Sequence, residues 1–255
     1  VSEPQAVRVR REEGAWWVTL CRPPHNVLTI AVMRELQAAL QEAYGDPAAR
    51  AVVLGAEGRS FCAGVDVAEH TAELVRDMLD AFHGLCRTLV DSDVPTVAAV
   101  GGAALGGGCE LVALCDLVVA SEQATFGQPE VRVGVFPPVA AAAFLPLWGR
   151  KAVVPLLTGE VLTAHQAQQL GLVTEVVPAE QLEEAVRRRV EQLAAHSAAV
   201  LRLAKRAALA SFRRTFHQAL AEAEQVYLEE LMKTEDAHEG LRAFLEKRRP
   251  TWQHR

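Results

Sequence analysis

The chain has little that would commit it to a metal, a membrane or a nucleic acid. Its five cysteines, Cys21, Cys62, Cys86, Cys109 and Cys115, form no CxxC pair and no Cys/His zinc spacing, and their odd number leaves no closed disulfide set. A reducing, cytoplasmic setting without a metal site is expected. Basic charge is also scarce: the formal net charge is −6, whereas nucleic acid and anionic lipid both reward a basic face. There is no GxxxxGK[ST] phosphate loop, no GxSxG elbow, no tandem repeat and no low-complexity tract. The opening VSEPQAVRVR carries no apolar core behind a basic start, so no signal peptide is expected. Two apolar runs raise the question of a membrane span. The first, over residues 95–120, contains Glu110, Asp116 and a glycine cluster; the second, over 133–148, is interrupted by Pro137, Pro138 and Pro146. Neither is expected to cross a bilayer.

What is present is apolar bulk, 50% of 255 residues, enough for one large domain or a domain with a helical appendage. Residues 7–11 and 16–20 are β-prone runs on either side of Glu13-Gly14, the pattern of a hairpin. Thr29 is placed to cap a helix from Ile30 to about Ala43, stopped by Gly45-Asp46-Pro47. Residues 51–55, 96–100, 117–120 and 173–177 read as buried strands. Helical patterns cover about 71–90 and 108–115, then an alanine-rich stretch to Trp148, a segment through Leu157, and 164–170. Strands alternating with helices predict an α/β domain. Beyond Ala179 only helical periods remain. Leu201, Lys205, Leu209 and Phe212, and then Tyr227, Leu228 and Leu231, sit at helical spacing, expected to pack on the parent core or to cover a neighbouring subunit.

The stretch ALGGGCELVALCD, residues 104–116, puts Glu110 in apolar company just behind three glycines. Glycines cost backbone entropy and a lone buried carboxylate costs solvation, so both need a reason. If Gly106 to Gly108 turn a strand into a helix, their backbone can approach a ligand closely, and the first helical N–H groups have no intrahelical partner. With the helix dipole behind them, such donors suit an oxygen that becomes negative during reaction; close packing alone is the plainer reading. Glu110 lies three residues past Gly107, on the same helix face and about one turn on. A second acid, Glu130 in ATFGQPEVRVGVF, follows Pro129, which keeps Gln128 out of the helical region. One such acid reads as a solvated side chain; two, one of them tied to a glycine turn, read as an acid/base pair. RSFCAGVD, residues 59–66, is a loop placed to supply a second backbone donor opposite Gly107, with Asp66 capping the next helix. His70 and His83 read as structural histidines.

FCAGVD, ALGGGCELVALCD, ATFGQPE and LTGEVLTAHQAQQLGLV, in this order and spacing, resemble the crotonase, or enoyl-CoA hydratase/isomerase, superfamily across nearly the whole chain. The resemblance implies a crotonase-like α/β fold, with a catalytic spiral of ββα units over residues 1–190. A C-terminal helical region over 191–255 would build a homotrimer, or a homohexamer made of two trimers. It also implies an acyl-CoA substrate, with coenzyme A part of that substrate and no separate cofactor. The thioester oxygen would be held by the N–H groups of Val65 and Gly107, while Glu110 as base and Glu130 as acid share one water. Ala63, Asp66, His25 in the loop RPPHN, and Lys247 would fall around the coenzyme A portion.

The chain departs from the common pattern after the second glutamate. Ordinary hydratases continue with a PGAGG-like segment, whereas here Val135-Phe136-Pro137-Pro138-Val139-Ala140 takes that place. Pro138 is expected to remove a backbone donor near the glutamates and to stiffen the substrate wall. FPPVAA and the ending YLEELMKTEDAHEGLRAFLEKRRPTWQ are most similar to the branch acting on cyclohexa-1,5-diene-1-carbonyl-CoA. Hydration of an enoyl- or dienoyl-CoA is the leading expectation. Double-bond isomerisation, and a non-catalytic RNA-binding or scaffold role, are the alternatives; the acidic balance and the two glutamates weigh against the last.

Overall fold

The computed structural model describes residues 5–255, so the start of the N-terminal stretch read for a signal peptide lies outside the described residues. Strands β1 (Val7–Glu12) and β2 (Ala15–Leu20) form the expected hairpin, joined by Glu13 and Gly14, which both take positive φ, 54° and 79°. That pair of left-handed residues makes the tight turn whose twist matches its strands. Helix α1 (Ile30–Gly45) comes next, with Thr29 Oγ1 accepting the Val32 N–H at 3.4 Å.

From there the chain winds in repeated turns, each leaving one strand in each of two sheets. β3 (Ala51–Ala56) and β4 (Ser60–Cys62) make the first pair and lead to α2 (Val75–Asp91). β5 (Thr96–Val100) and β6 (Ala103–Leu105) make the second and lead to α3 (Gly107–Ala113), and β7 (Leu117–Ser121) and β8 (Thr125–Gly127) make the third. Helices α4 (Pro138–Trp148) and α5 (Val153–Thr158), strand β9 (Val161–Thr163), helix α6 (Ala164–Leu170) and strand β10 (Glu175–Val177) close the spiral. The main sheet runs β1-β2-β3-β5-β7-β10, parallel from β2 onward; the second runs β4-β6-β8-β9, with only β9 antiparallel. Strands of three residues show no period in a sequence, which is why β4, β6, β8 and β9 fall in stretches that read as loops.

The main-sheet strands are unbroken apolar runs because both faces are covered. Alternate residues divide accordingly. Val52, Leu54, Ala98, Val100 and Val118 join Leu36, Leu40, Leu85 and Leu89 of α1 and α2 in the larger core. Val53, Val97, Val119 and Trp17 pack instead on Ala185, Val186 and Val190 of helix α7 (Leu182–Ala194). Helix α2 begins later than the periodicity predicts, since Val67–Glu69 form a 3₁₀ turn capped by Asp66.

The chain ends in α8 (Ala198–Glu229) and α9 (Glu235–Leu245). A boundary at 190/191 falls inside α7, which packs as one unit on the sheet, and α8 lies on α2 and α4 of the same chain. Lys205, within the predicted stripe, is a buried cation: Nζ lies 2.6 Å from Asp116 Oδ2 and donates to the Val94 carbonyl at 2.9 Å. Arg213 likewise donates to the Val90 and Ser92 carbonyls and pairs with Asp93. These cations fasten α8 to the turn between α2 and β5 and, through Asp116, to the turn before β7. Helix α9 then folds back so that Gly240 meets the backbone of Val133 and Gly134. A Cβ there would lie 2.6 Å from the Val133 carbonyl carbon and 2.8 Å from the Gly134 nitrogen. Gly240→Ala is expected to destabilise the protein by about 1–3 kcal/mol through overpacking. Urea unfolding checks this, with Gly45→Ala, where nothing lies within 4 Å, as a control that stays near wild type.

Candidate active site

A cavity of about 400 Å³ lies where the start of α3, the loop after β4 and the start of α4 meet α2, α8 and α9. Two glycine turns pass each other at its floor. Gly106 takes φ 52° and ψ −128°, and a Cβ on it would collide with the Glu130 carboxyl. Gly64, at φ 103°, approaches so closely that a Cβ would stand 3.2 Å from the Leu105 carbonyl oxygen. Only glycine satisfies both backbones.

The two candidate oxyanion donors arise from this crossing. Next to Val65, Leu28 donates to the Gly64 carbonyl at 2.9 Å and accepts from Asp66 N–H at 3.0 Å. Alternation along an extended strand therefore turns the Val65 N–H the other way, to the cavity side. Gly107 is the first residue of α3, where an N–H has no intrahelical acceptor. Val65 and Gly107 both line the cavity, and among the described residues neither N–H has a backbone acceptor.

Glu110 is 2% exposed, and its Oε1 accepts the Ala140 N–H at 2.6 Å. The Ala140 and neighbouring Val139 N–H dipoles favour the carboxylate, yet burial outweighs them and pushes the group up to about 8. These N–H groups belong to the first turn of α4. The expected loss of a donor at Pro138 is thereby corrected: Pro138 occupies the first helical position, where its missing N–H costs nothing, and Ala140 two residues on supplies the bond. Glu130, half-buried on a 3₁₀ turn over Pro129–Val133, is raised well above the ordinary carboxyl range, first by burial and then by the negative field of Glu110. Fully buried Gln128 faces it, with 3.2 and 3.3 Å from a donating amide nitrogen to the two carboxylate oxygens. The same amide's oxygen can accept from Glu130 when that acid is protonated. Of the pair, Glu110 has the short backbone bond from Ala140, and once it is ionised its charge raises Glu130 further, so Glu110 ionises first and Glu130 keeps its proton longer.

The other expected residues divide. Ala63 and Pro138 line the cavity. Asp66, His25 and Lys247 do not. Asp66 Oδ1 caps the 3₁₀ turn through the Ala68 N–H at 3.0 Å. His25 acts through its backbone, whose carbonyl accepts the Ala63 N–H at 2.9 Å, while its ring lies 3.4 Å from Ser60 and Arg59. Lys247 sits just past α9 with φ 54°, exposed to solvent. His70, read as structural, instead lines the cavity with Nδ1 3.1 Å from the Asp66 carbonyl. Sequence reasoning misses Arg132, Tyr227, Leu241 and Phe244, which line it too. The only sign of Tyr227 in the sequence is its place in an apolar stripe.

The sequence pattern of the family described as enoyl-CoA hydratase/isomerase matches residues 10–255. The chain belongs to this family. It is 39% identical over 255 residues to a cyclohexa-1,5-dienecarbonyl-CoA hydratase of Thauera aromatica, covering 100% of this chain and 98% of that protein. To the 2,3-dehydroadipyl-CoA hydratase of Escherichia coli it is 37% identical, over 97% of this chain and 98% of the relative. A crystal structure of an enoyl-CoA hydratase from Mycobacterium avium subsp. paratuberculosis matches with TM-score 0.87 at 30% identity, over 97% of this chain and 98% of the other. A carnitinyl-CoA hydratase from Mycobacterium avium matches with TM-score 0.84 at 34% identity, over 99% and 100%. The two-sheet spiral with long C-terminal helices is the family's fold, as the resemblance implied.

The Glu110 carboxyl has consequences for stability that are separable from catalysis. Its folded-state value is raised, so the fold favours the neutral form; that contribution is complete below the ordinary carboxyl range and is lost as pH rises through about 8. Glu110→Gln, which cannot ionise, is expected to lose less stability than wild type between about pH 6 and about pH 9, by on the order of 1 kcal/mol or more. Denaturant unfolding at the two pH values measures it, and equal losses would mean that the buried charge is not at Glu110.

Proposed function

We propose that the protein adds water across an α,β-unsaturated acyl-CoA thioester, with a six-membered cyclic dienoyl group as its preferred acyl chain. The observation that carries this reading is one apolar cavity holding two carboxyl groups of unequal proton affinity opposite two unpaired backbone N–H groups. The thioester oxygen accepts from Val65 and Gly107, which stabilise it as negative charge develops. Glu110, as carboxylate, takes a proton from water while the water oxygen bonds to the β carbon, and Glu130, as acid, protonates carbon. In a conjugated ring the intermediate is a dienolate, and the proton from Glu130 goes to the far end of its second double bond. Glu110 finishes protonated and Glu130 ionised, and exchange between them resets the pair.

The ring preference comes from the walls. Phe136 meets the edge of Tyr227 with centroids 5.3 Å apart, Pro137 and Pro138 are buried beside them, and Phe82 and Met78 complete an apolar lining. A stiff apolar wall favours a flat ring, which buries more surface and freezes fewer rotors than a thin chain. The name of the Thauera aromatica relative supports the same choice. Ala63 at the cavity, and Asp66, His25 and Lys247 outside it, are assigned to the coenzyme A end of the substrate on the family resemblance. A homotrimer, or a pair of trimers, would cover exposed apolar residues such as Leu145, Val154 and Leu157. The five free cysteines support a reducing compartment such as the cytoplasm for the protein.

Incubation with cyclohexa-1,5-diene-1-carbonyl-CoA and with crotonyl-CoA in heavy-oxygen water tests the reading. Label is expected in the product, with higher kcat/KM for the ring; a moved double bond without label would mean isomerisation, and a crotonyl preference would remove the cyclic assignment. Glu110→Gln and Glu130→Gln are each expected to keep the fold and lose about 10² or more in turnover. Near-wild-type hydration by either would take that residue out of the chemistry. Gly107→Val puts a side chain against Phe82 and Val65, where a Cβ already stands 3.0 Å from each, and should reduce both binding and rate. The kcat/KM profile is expected to rise with pH as Glu110 ionises and fall as Glu130 loses its proton, both limbs lying above the ordinary carboxyl range; limbs at ordinary carboxyl values would contradict the burial argument.

A further inference from the structure

We propose that Tyr227 is a third polar contact of the site, and that its hydroxyl donates a hydrogen bond to the oxygen added to, or removed from, the acyl group. The inference rests on the hydratase reading and names a residue that recognises the hydroxylated form of the substrate.

Tyr227 comes from α8, far along the chain from both glutamates, yet its side chain lines the same cavity while the residue is only 1% exposed. Its ring is held in place. Phe136 packs on it at an interplanar angle of 67°. One turn earlier on α8, Glu224 Oε2 lies 2.6 Å from Nδ1 of the fully buried His83, which ties α8 to α2 at this level. The hydroxyl therefore occupies a fixed position without an ordering cost at binding.

Among the described residues, that hydroxyl has no hydrogen-bond partner. The contrast is Tyr44, whose buried hydroxyl pairs with Thr96 Oγ1 at 2.9 Å. Among the described residues the fully buried side-chain atoms without a partner are Trp17 Nε1 and His83 Nε2, and the Tyr227 hydroxyl is not one of them; it opens to the cavity its ring lines, free to donate to whatever occupies that space. Tyr227 lines the same cavity as Glu110 and Glu130, and burial first, then the negative field of the two carboxyl groups, raises its proton affinity. Tyr227 consequently remains a donor throughout the working pH range and serves as neither base nor acid. A water held between the two carboxyl groups uses its protons on them. One oxygen lone pair forms the bond to carbon, and the other is free to accept the phenolic O–H. The same acceptor persists in the hydroxyacyl product and is missing from a saturated acyl chain.

Calorimetric titration with 2-hydroxycyclohexane-1-carbonyl-CoA and with cyclohexane-1-carbonyl-CoA separates this role from wall packing. Wild type is expected to prefer the hydroxylated ring by about tenfold, the scale of one hydrogen bond. Tyr227→Phe, which keeps the ring against Phe136, should abolish that preference while binding the saturated ring within about twofold of wild type, and should lower kcat by about tenfold at unchanged KM. Tyr227→Leu should weaken binding of both rings, because it also removes the wall. A Tyr227→Phe protein that keeps the wild-type preference overturns the proposal, as does a wild type that binds both rings equally. Failure of the hydratase reading looks different: no heavy oxygen enters any enoyl-CoA and neither ring binds, in which case both inferences fall together.

Discussion

A carboxyl group buried in apolar surroundings and bound to the first turn of a helix is the constraint around which this structure is arranged. Glu110 can be buried because Ala140 meets it with an N–H group that α4 would otherwise leave unpaired. One interaction thus satisfies both a helix end and an acid, and it locks α3 to α4. The Ala140 N–H also favours the negative charge on Glu110, and that charge in turn raises the proton affinity of Glu130.

Glycine makes the approach of the remaining parts possible. A side chain at Gly106 would displace the Glu130 carboxyl, and one at Gly108 would run into Cys62, with its Cβ 2.6 Å from the Cys62 Cβ. The short second sheet brings these turns together. Three-residue strands contribute little stability alone. Their value is positional: β4 and β6 run side by side and then separate, and the gap between Gly64 and Gly107 is where the two backbone donors emerge.

The C-terminal helices finish a cavity that the spiral leaves open. Tyr227, Leu241 and Phe244 line it from α8 and α9. Their placement depends on half-buried ion pairs along the first half of α8, where Lys205 and Arg213 hold Asp116 before β7 and Asp93 and backbone carbonyls around the α2–β5 turn. Such pairs orient a helix more than they stabilise it, because removing the charges from water offsets much of their attraction.

Much of this was legible in the residues. The hairpin at Glu13-Gly14, the Thr29 cap, the strands over 51–55 and 96–100, and the glycine turn before Glu110 are local, and each is written in a contiguous stretch with its own physical cause. Glu110 and Glu130 stood out because a carboxylate in apolar company is rare. What the sequence could not carry was direction and distance. That the Val65 N–H points to the cavity depends on which side of it Leu28 pairs, and that Pro138 removes no needed donor depends on where α4 begins relative to Glu110. Asp66, His25 and Lys247 lie outside the cavity for the same reason, since a motif position does not say which way a side chain turns. Tyr227 was one apolar-stripe residue among several; a helix period shows that a side chain is buried but not what it is buried against. Only the return of α8 over the spiral brought its side chain to the cavity that the two acids line.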